Sequence, residues 1–350
     1  MPVDEKKLEA VIGKMLGDVG AAMSGALVLV GDKLGFYKAL AEAGPLDASE
    51  LAARTKTTER YVREWLAAQA AAGYLDYDSK SRRFSITPEH AAVLSDPNGP
   101  AFFPGLFQVA ASMMRDEPKI TEAFRTGQGV GWHEHDPILF HGTERFFRPG
   151  YAQSLVTSWI PAIEGLQQKL ERGADVADVG CGHGASTILM ASAFPKSTFR
   201  GFDYHQPSID RAIELARDAG LTNVGFARAS AKDYSGSYDL VAFFDCLHDM
   251  GDPVGAAAHV LTTLKPEGTW MVVEPFANDR MESNMNPIGR LFYSASAMVC
   301  VPASISQEVG SALGAQAGEG RLTQVIKDGG FTRVRTAVTT PFNLVLEARP

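Results

Sequence analysis

The chain has 350 residues, 45% of them hydrophobic and 21% charged, and a net charge of −8 at neutral pH, enough apolar content for the cores of a two-domain soluble globular protein. The acidic balance argues against a duplex-binding surface that works by neutralising phosphates. Cys181, Cys246 and Cys300 are too few and too scattered for a disulfide framework or a zinc site, so no metal is expected and a reducing, cytoplasmic compartment is. The apolar run 21–30 is too short to span a bilayer and follows Asp4, Glu5, Glu9 and Asp18, so neither a leader nor a membrane anchor is expected.

Leu8, Val11, Ile12, Met15 and Val19 recur at helical spacing, and the apolar face continues from Leu27 to Leu40. Two N-terminal helices with more apolar surface than a small domain needs predict a homodimer contact. Asp47 and Glu50 form a capping-box pattern before "LAART", and "TERYVREWLAAQAAAG" is a second helix that Gly73 can end as a left-handed cap. "YLDYD" and "RFSIT" around "SKSR" read as a hairpin, which completes the order of a winged helix within a domain spanning 1–100. Thr87 before Pro88 caps another helix, and residues 101–165 read as a helical connector carrying the loop "GQGVGWHEHDP". From 166 to 350 strands near 174–179, 198–203, 223–228, 238–244 and 268–273 alternate with helices. That is an α/β, Rossmann-like and mostly parallel sheet, and "FTRVRTAV" with "FNLVLEA" close it as an antiparallel hairpin.

The stretch "DVGCGHGAS" sits between the first of these strands and its helix. Gly180, Gly182 and Ala185 satisfy the dinucleotide pattern, and Asp203 ends the next strand where an acid grips ribose hydroxyls, so an NAD-dependent oxidoreductase is one reading. Asp178 before the turn, a third glycine at 184 and the closing hairpin favour S-adenosylmethionine instead. That cofactor has no pyrophosphate to seat on a helix; it needs close backbone approach and carboxylates for its ammonium and ribose diol.

"VADVGCGHGAS", "FRGFDYH", "YDLVAFFDCLHDMGDP" and "LKPEGTWMVVEP", behind a winged helix, resemble the class I S-adenosylmethionine-dependent methyltransferases, in particular the bacterial O-methyltransferase-like branch with an N-terminal dimerisation domain. The resemblance implies that Asp178, Gly180, Gly182 and Gly184 hold the methionine end of the cofactor and Asp203 the ribose. Ser230 and Ala231 would frame the adenine, Tyr204 would be a further cofactor contact, and Phe244 and Asp245 would lie beneath the sulfonium.

It also implies that His248 in "LHDMGDP", where Met250 replaces the family tryptophan, is the general base, with Glu274 and Glu319 as orienting carboxylates. An ordinary imidazole pKa of about 6.5 would be moved upward by Glu274. Residues 275–318 are long enough to be a lid. Asn286 and Tyr293 in it, Trp132 and His133 in the connector loop, and Tyr151 are the candidate contacts to a small-molecule acceptor. The three cysteines read as packing residues.

The competing reading is a DNA-binding regulator whose methyltransferase fold senses a ligand. Across 47–83, seven basic residues face six acidic ones, and the would-be recognition helix presents Trp65 and alanines, which suit packing against protein better than base edges. Nucleic acid is therefore not the expected partner.

Overall fold

A computed structural model describes residues 3–350. They divide into two compact units, one formed by the N-terminal segment to Ala111 together with His141–Pro149, the other by Ser112–Phe140 and Gly150–Pro350. The expected connector is therefore shared between the two units.

In the first unit α1 (Glu5–Leu34) and α2 (Phe36–Ala43) meet at Gly35, whose φ of 70° is a left-handed turn. Then come α3 (Ala48–Thr55), α4 (Glu59–Ala71), the hairpin β1 (Asp76–Asp78) and β2 (Arg83–Ser85), and α5 (Pro88–Leu94). The capping box forms: Glu50 N donates to Asp47 at 2.9 Å and Asp47 N to Glu50 at 2.9 Å. Trp65 is in the core, its indole N–H donating to Leu27 O at 2.8 Å and its ring edge-on to Phe36 and Tyr37. Residues 8–23 of α1, in contrast, leave Leu8, Val11, Ile12, Met15, Leu16, Val19 and Met23 exposed. By length and composition α1 is one of two described helices able to cross a membrane; the other is the run Pro287–Ile305.

The residues of α6 (Pro104–Thr126) and α7 (Ile138–Ser154) are divided between the two units, and α8 (Ile160–Ala162) and α9 (Leu166–Arg172) follow in the second. The second unit alternates β3 (Asp175–Val179), α10 (Ala185–Ala193), β4 (Thr198–Asp203), α11 (Gln206–Asp218), β5 (Val224–Arg228), β6 (Tyr238–Phe244), α12 (Pro253–Thr263) and β7 (Leu264–Pro275). The segment expected as a lid is helical, with α13 (Pro287–Ala295), a π-turn (Ser296–Cys300) and α14 (Val301–Ile305), and precedes α15 (Gly318–Asp328), β8 (Arg333–Thr339) and β9 (Asn343–Arg349). The seven-stranded order is β5-β4-β3-β6-β7-β9-β8, parallel except for the antiparallel β9. The C-terminal hairpin closes this edge of the sheet as the sequence suggests, with β8 outermost and β9 inserted between β7 and β8. The near-continuous burial of β9 requires that central place.

The order turns back at β3 and β6, so the chain leaves β3 toward one side of the sheet and β6 toward the other. The crevice between their carboxyl ends is where an open α/β sheet binds ligands.

Candidate active site at the carboxyl ends of β3, β4, β6 and β7

Two groups of residues meet at this crevice. The first is the turn after β3. Gly180, Gly182 and Gly184 have φ of 75°, 52° and 77°, a run of left-handed residues that glycine alone adopts without strain. A side chain at Gly180 would strike Cys246 Sγ at 2.7 Å, whereas one at Gly182 would meet nothing within 4 Å. Gly180 is thus required by the protein's own packing, while Gly182 leaves backbone bare to the crevice. Asp203, ending β4, accepts from Gly182 N at 2.9 Å and His205 N at 2.8 Å, which ties the turn to the neighbouring strand. Burial nevertheless raises the Asp203 carboxyl above its ordinary value.

Asp178 lies beneath the turn with no exposed surface. One carboxylate oxygen accepts from Ser186 and Thr187 hydroxyls, both at 2.6 Å, and the other has no hydrogen-bond partner. Burial pushes Asp178 up to about 6 against the pull of the two hydroxyls. Asp245, after β6, sits in a left-handed conformation with φ of 50°, accepts from the Tyr151 hydroxyl and is approached by Asn343 Nδ2 at 3.3 Å. Burial pushes its carboxyl up to about 8.

The second group surrounds His248. A 3-10 turn at Leu247–Asp249 follows β6, and Glu274 ends β7 with 1% exposure. His248 Nδ1 lies 2.5 Å from Glu274 Oε2, and the other oxygen of Glu274 accepts from Leu247 N at 2.8 Å, so one buried carboxylate fixes both ring and turn. His248 Nε2 faces Asp249 Oδ1 at 3.1 Å. Burial alone would lower the imidazole pKa, but the two carboxylates, Asp249 ahead of Glu274, hold it well above 6.5. Cys300, from the π-turn of the lid, brings its thiol into contact with both His248 and Asp249 and is pushed up to about 12 by burial and by Asp249.

The expected lid segment is hydrogen-bonded to this turn. Ser304 Oγ donates to Met250 O at 2.8 Å, Gln307 Nε2 to Asp249 O at 2.9 Å, and Ser311 N to Gly251 O at 2.8 Å.

Of the residues expected from the sequence, the structure gathers Asp178, the three glycines, Asp203, Asp245, Tyr151, His248 and Glu274 around the crevice. Phe244 packs against the Tyr151 ring at 5.4 Å between centroids. His133 meets Tyr204 edge-on at 6.1 Å, and Phe140 stacks on His205 at 4.7 Å, so the connector loop lies over the end of β4. Ser230 and Ala231 follow β5 in a turn capped by Asp233, which accepts from Ser230 N at 2.6 Å. Trp132 packs edge-on against Phe140 at the start of α7.

Two expectations fail. Glu319 does not orient His248: it is exposed at the start of α15, its carboxylate accepts from Thr336 Oγ1 on β8 at 2.6 Å, and both ring nitrogens of His248 face other carboxylates. Asn286 is the N-cap of α13, accepting from Gly289 N at 2.9 Å, so its carboxamide is already engaged. Tyr293 lines an apolar cavity of about 470 Å³ with Phe124, Ala297, Val301 and Ile305, on residues of the lid other than Cys300. Asp249 and Cys300 were missed. Asp249 stands beside His248 in "LHDMGDP" and could have been noticed, whereas no local pattern marks Cys300.

Residues 170–330 match the family described as a methyltransferase domain, and residues 22–96 an Rv2258c-like winged HTH domain. Over 106 residues the chain is 31% identical to trans-aconitate 2-methyltransferase of Deinococcus radiodurans, a match covering 30% of this chain and 40% of that protein. Over 103 residues it is 34% identical to tRNA (guanine-N(7)-)-methyltransferase of Rubrobacter xylanophilus, covering 29% and 39%. The chain thus spans about two fifths of the length of these curated relatives.

Among solved structures it is similar to mitomycin 7-O-methyltransferase, with a TM-score of 0.70, 20% identity and coverage of 99% and 100%. Human N-acetylserotonin methyltransferase in complex with SAM gives 0.67, 20%, and 97% of each chain. Residues 170–330 thus form a methyltransferase domain, and the whole chain shares the fold of these solved methyltransferases, one of which holds SAM. A winged HTH domain precedes that methyltransferase domain.

The residues present fit S-adenosylmethionine. Gly182 presents open backbone, Asp178 holds a buried oxygen without a partner, and Asp203 ends β4. These are the groups that would hold its amino-acid end and its ribose.

Proposed function

We propose that this protein transfers a methyl group to a hydroxyl of a small-molecule acceptor, with His248 as general base. The observation that carries the reading is the buried pair of His248 Nδ1 and Glu274 Oε2 at 2.5 Å, set one strand away from the glycine turn. S-adenosylmethionine, when bound, supplies an electrophilic methyl group on a positively charged sulfur.

Asp178, Asp203 and the backbone of 180–184 bind and orient it. Glu274 holds the Nδ1 proton and thereby makes Nε2 the atom that accepts the acceptor's proton. Asp249, now beside Nε2, exchanges places with the incoming hydroxyl, and its carboxylate with that of Glu274 stabilises the imidazolium that forms. The lid, latched over the same turn, excludes water. Asp245 and Tyr151 line the floor beneath the methyl-transfer position, and Tyr204, Ser230 and Ala231 take the adenine end.

The acceptor is a small molecule rather than nucleic acid. Trp65 is used in the core, and Arg60 and Arg63 on the exposed face of α4 are paired with Glu64 and Glu59 at 2.5 Å. Exposed apolar positions along α1 support a homodimer through this helix, and three free thiols support the cytoplasm.

The test is a screen of phenols, alcohols, thiols and amines for S-adenosylhomocysteine production by wild type and His248→Gln. Turnover of a hydroxyl acceptor that falls by about 10² to 10⁴ in the variant, with cofactor binding retained, is the expected result. Full turnover by the variant overturns the base role.

A further inference from the structure

Three donor atoms converge on one point beside the lid: His248 Nε2, a carboxylate oxygen of Asp249 and Cys300 Sγ, all within 4.8 Å of one another. Asp249 Oδ1 is buried and has no hydrogen-bond partner, although it stands 3.1 Å from the imidazole nitrogen. With Nδ1 held by Glu274, Nε2 faces Asp249 Oδ1 across a gap that a proton bridges when the imidazole is charged, and the Cys300 thiol lies beside both. A cation held between its members would satisfy all three donor atoms at once. A proton is one candidate and a metal ion the other.

The surroundings match what a metal needs. The histidine is held from behind by a buried carboxylate, the carboxylate–histidine arrangement that orients imidazole ligands and raises their basicity. His248 and Cys300 are 4% and 6% exposed, and the Asp249 side chain, at 20%, leaves an approach. One nitrogen, one sulfur and one oxygen form the mixed donor set of a zinc-class ion, and three protein ligands leave a fourth position open. In a tetrahedral site with metal–ligand bonds of about 2.0–2.3 Å the donors stand about 3.3–3.8 Å apart, so a cluster spread over up to 4.8 Å draws together as the ion binds.

We propose that His248, Asp249 and Cys300 form a binding site for a soft divalent cation of the zinc class. Coordination takes the Nε2 lone pair and the Cys300 thiolate, and the protons they carried pass to solvent. Resting on the function proposed above, the consequence is inhibition: a nitrogen bound to metal accepts no proton from the acceptor. The lid then contributes a regulatory ligand as well as a cover, because Cys300 sits on its π-turn.

The site is tested on the full chain with Co²⁺ alone, without cofactor or acceptor. One equivalent should produce a thiolate-to-cobalt charge-transfer band that Zn²⁺ abolishes. Cys300→Ser and Asp249→Asn should each weaken binding by tenfold or more, the serine variant without the band, while Cys181→Ser and Cys246→Ser retain it. Circular dichroism of every variant checks folding. No band at one equivalent, or a band that survives Cys300→Ser, overturns the site and leaves the methyl-transfer reading standing. Zinc should then inhibit wild-type methyl transfer and spare Cys300→Ser. Tight metal binding without inhibition overturns the base role of His248 and leaves the site intact.

Discussion

The cofactor cradle and the histidine cluster lie side by side at the end of one sheet, yet they are built in opposite ways. The cradle comes from one βαβ unit, residues 175–203, and much of it is backbone: three left-handed glycines, with Asp203 accepting from the N–H of Gly182. The cluster draws single side chains from β6, β7 and the lid, and depends on buried charges rather than on chain conformation. A cradle of backbone tolerates few residue types but needs little support. A cluster of charges works only while each partner stays in place, since an uncompensated buried charge costs several kcal/mol.

The sharpest way to break that contrast is Glu274→Gln. If Glu274 sets the Nδ1 proton, turnover of a hydroxyl acceptor should fall by roughly 10² to 10⁴ while cofactor affinity stays within a few-fold. The separation of kcat from cofactor binding is the decisive readout. A variant with wild-type kcat would make the cluster structural.

On the cradle side, Asp203→Ala should lose a charge-assisted contact worth on the order of 1.5 to 3 kcal/mol, weakening S-adenosylmethionine or S-adenosylhomocysteine by about tenfold or more. Calorimetry checks it, and an unchanged affinity would remove Asp203 from the cradle.

The smallest expected change has the opposite sign for stability. Asp178, with a carboxyl near 6 in the folded protein against about 3.9 unfolded, binds more protons folded than unfolded in that window. Stability therefore falls as pH rises from about 4 to about 6, and the penalty, at most about 3 kcal/mol, persists above. Asp178→Asn keeps an acceptor for Ser186 or Thr187 and removes the charge. At pH 7.5 it should melt higher than wild type by the equivalent of roughly 1 to 2 kcal/mol, with the gain vanishing near pH 4, while cofactor affinity drops. Equal melting temperatures at both pH values would show that burial of Asp178 carries no such cost.

The failures of sequence reading follow the same division. Glu319 resembles an orienting glutamate along the chain, but the start of α15 places it against Thr336 on the edge strand. Asn286 looks available in a lid, but an Asn three residues before Gly289 is better used as an N-cap, and the helix takes it. Cys300 reads as packing because nothing near it in the chain carries charge. Only the fold of the lid brings it to His248.

What the sequence by itself determined is whatever depends on neighbours in the chain. The glycine turn, the acid after the second parallel strand, the capping box at Asp47 and the alternation of strand and helix all follow from backbone conformation and short-range hydrogen bonds. The tertiary structure alone decided the insertion of β9 between β7 and β8 and the approach of Cys300 to His248. Those depend on which buried surfaces meet, and burial and charge act through space between residues that no spacing along the chain connects.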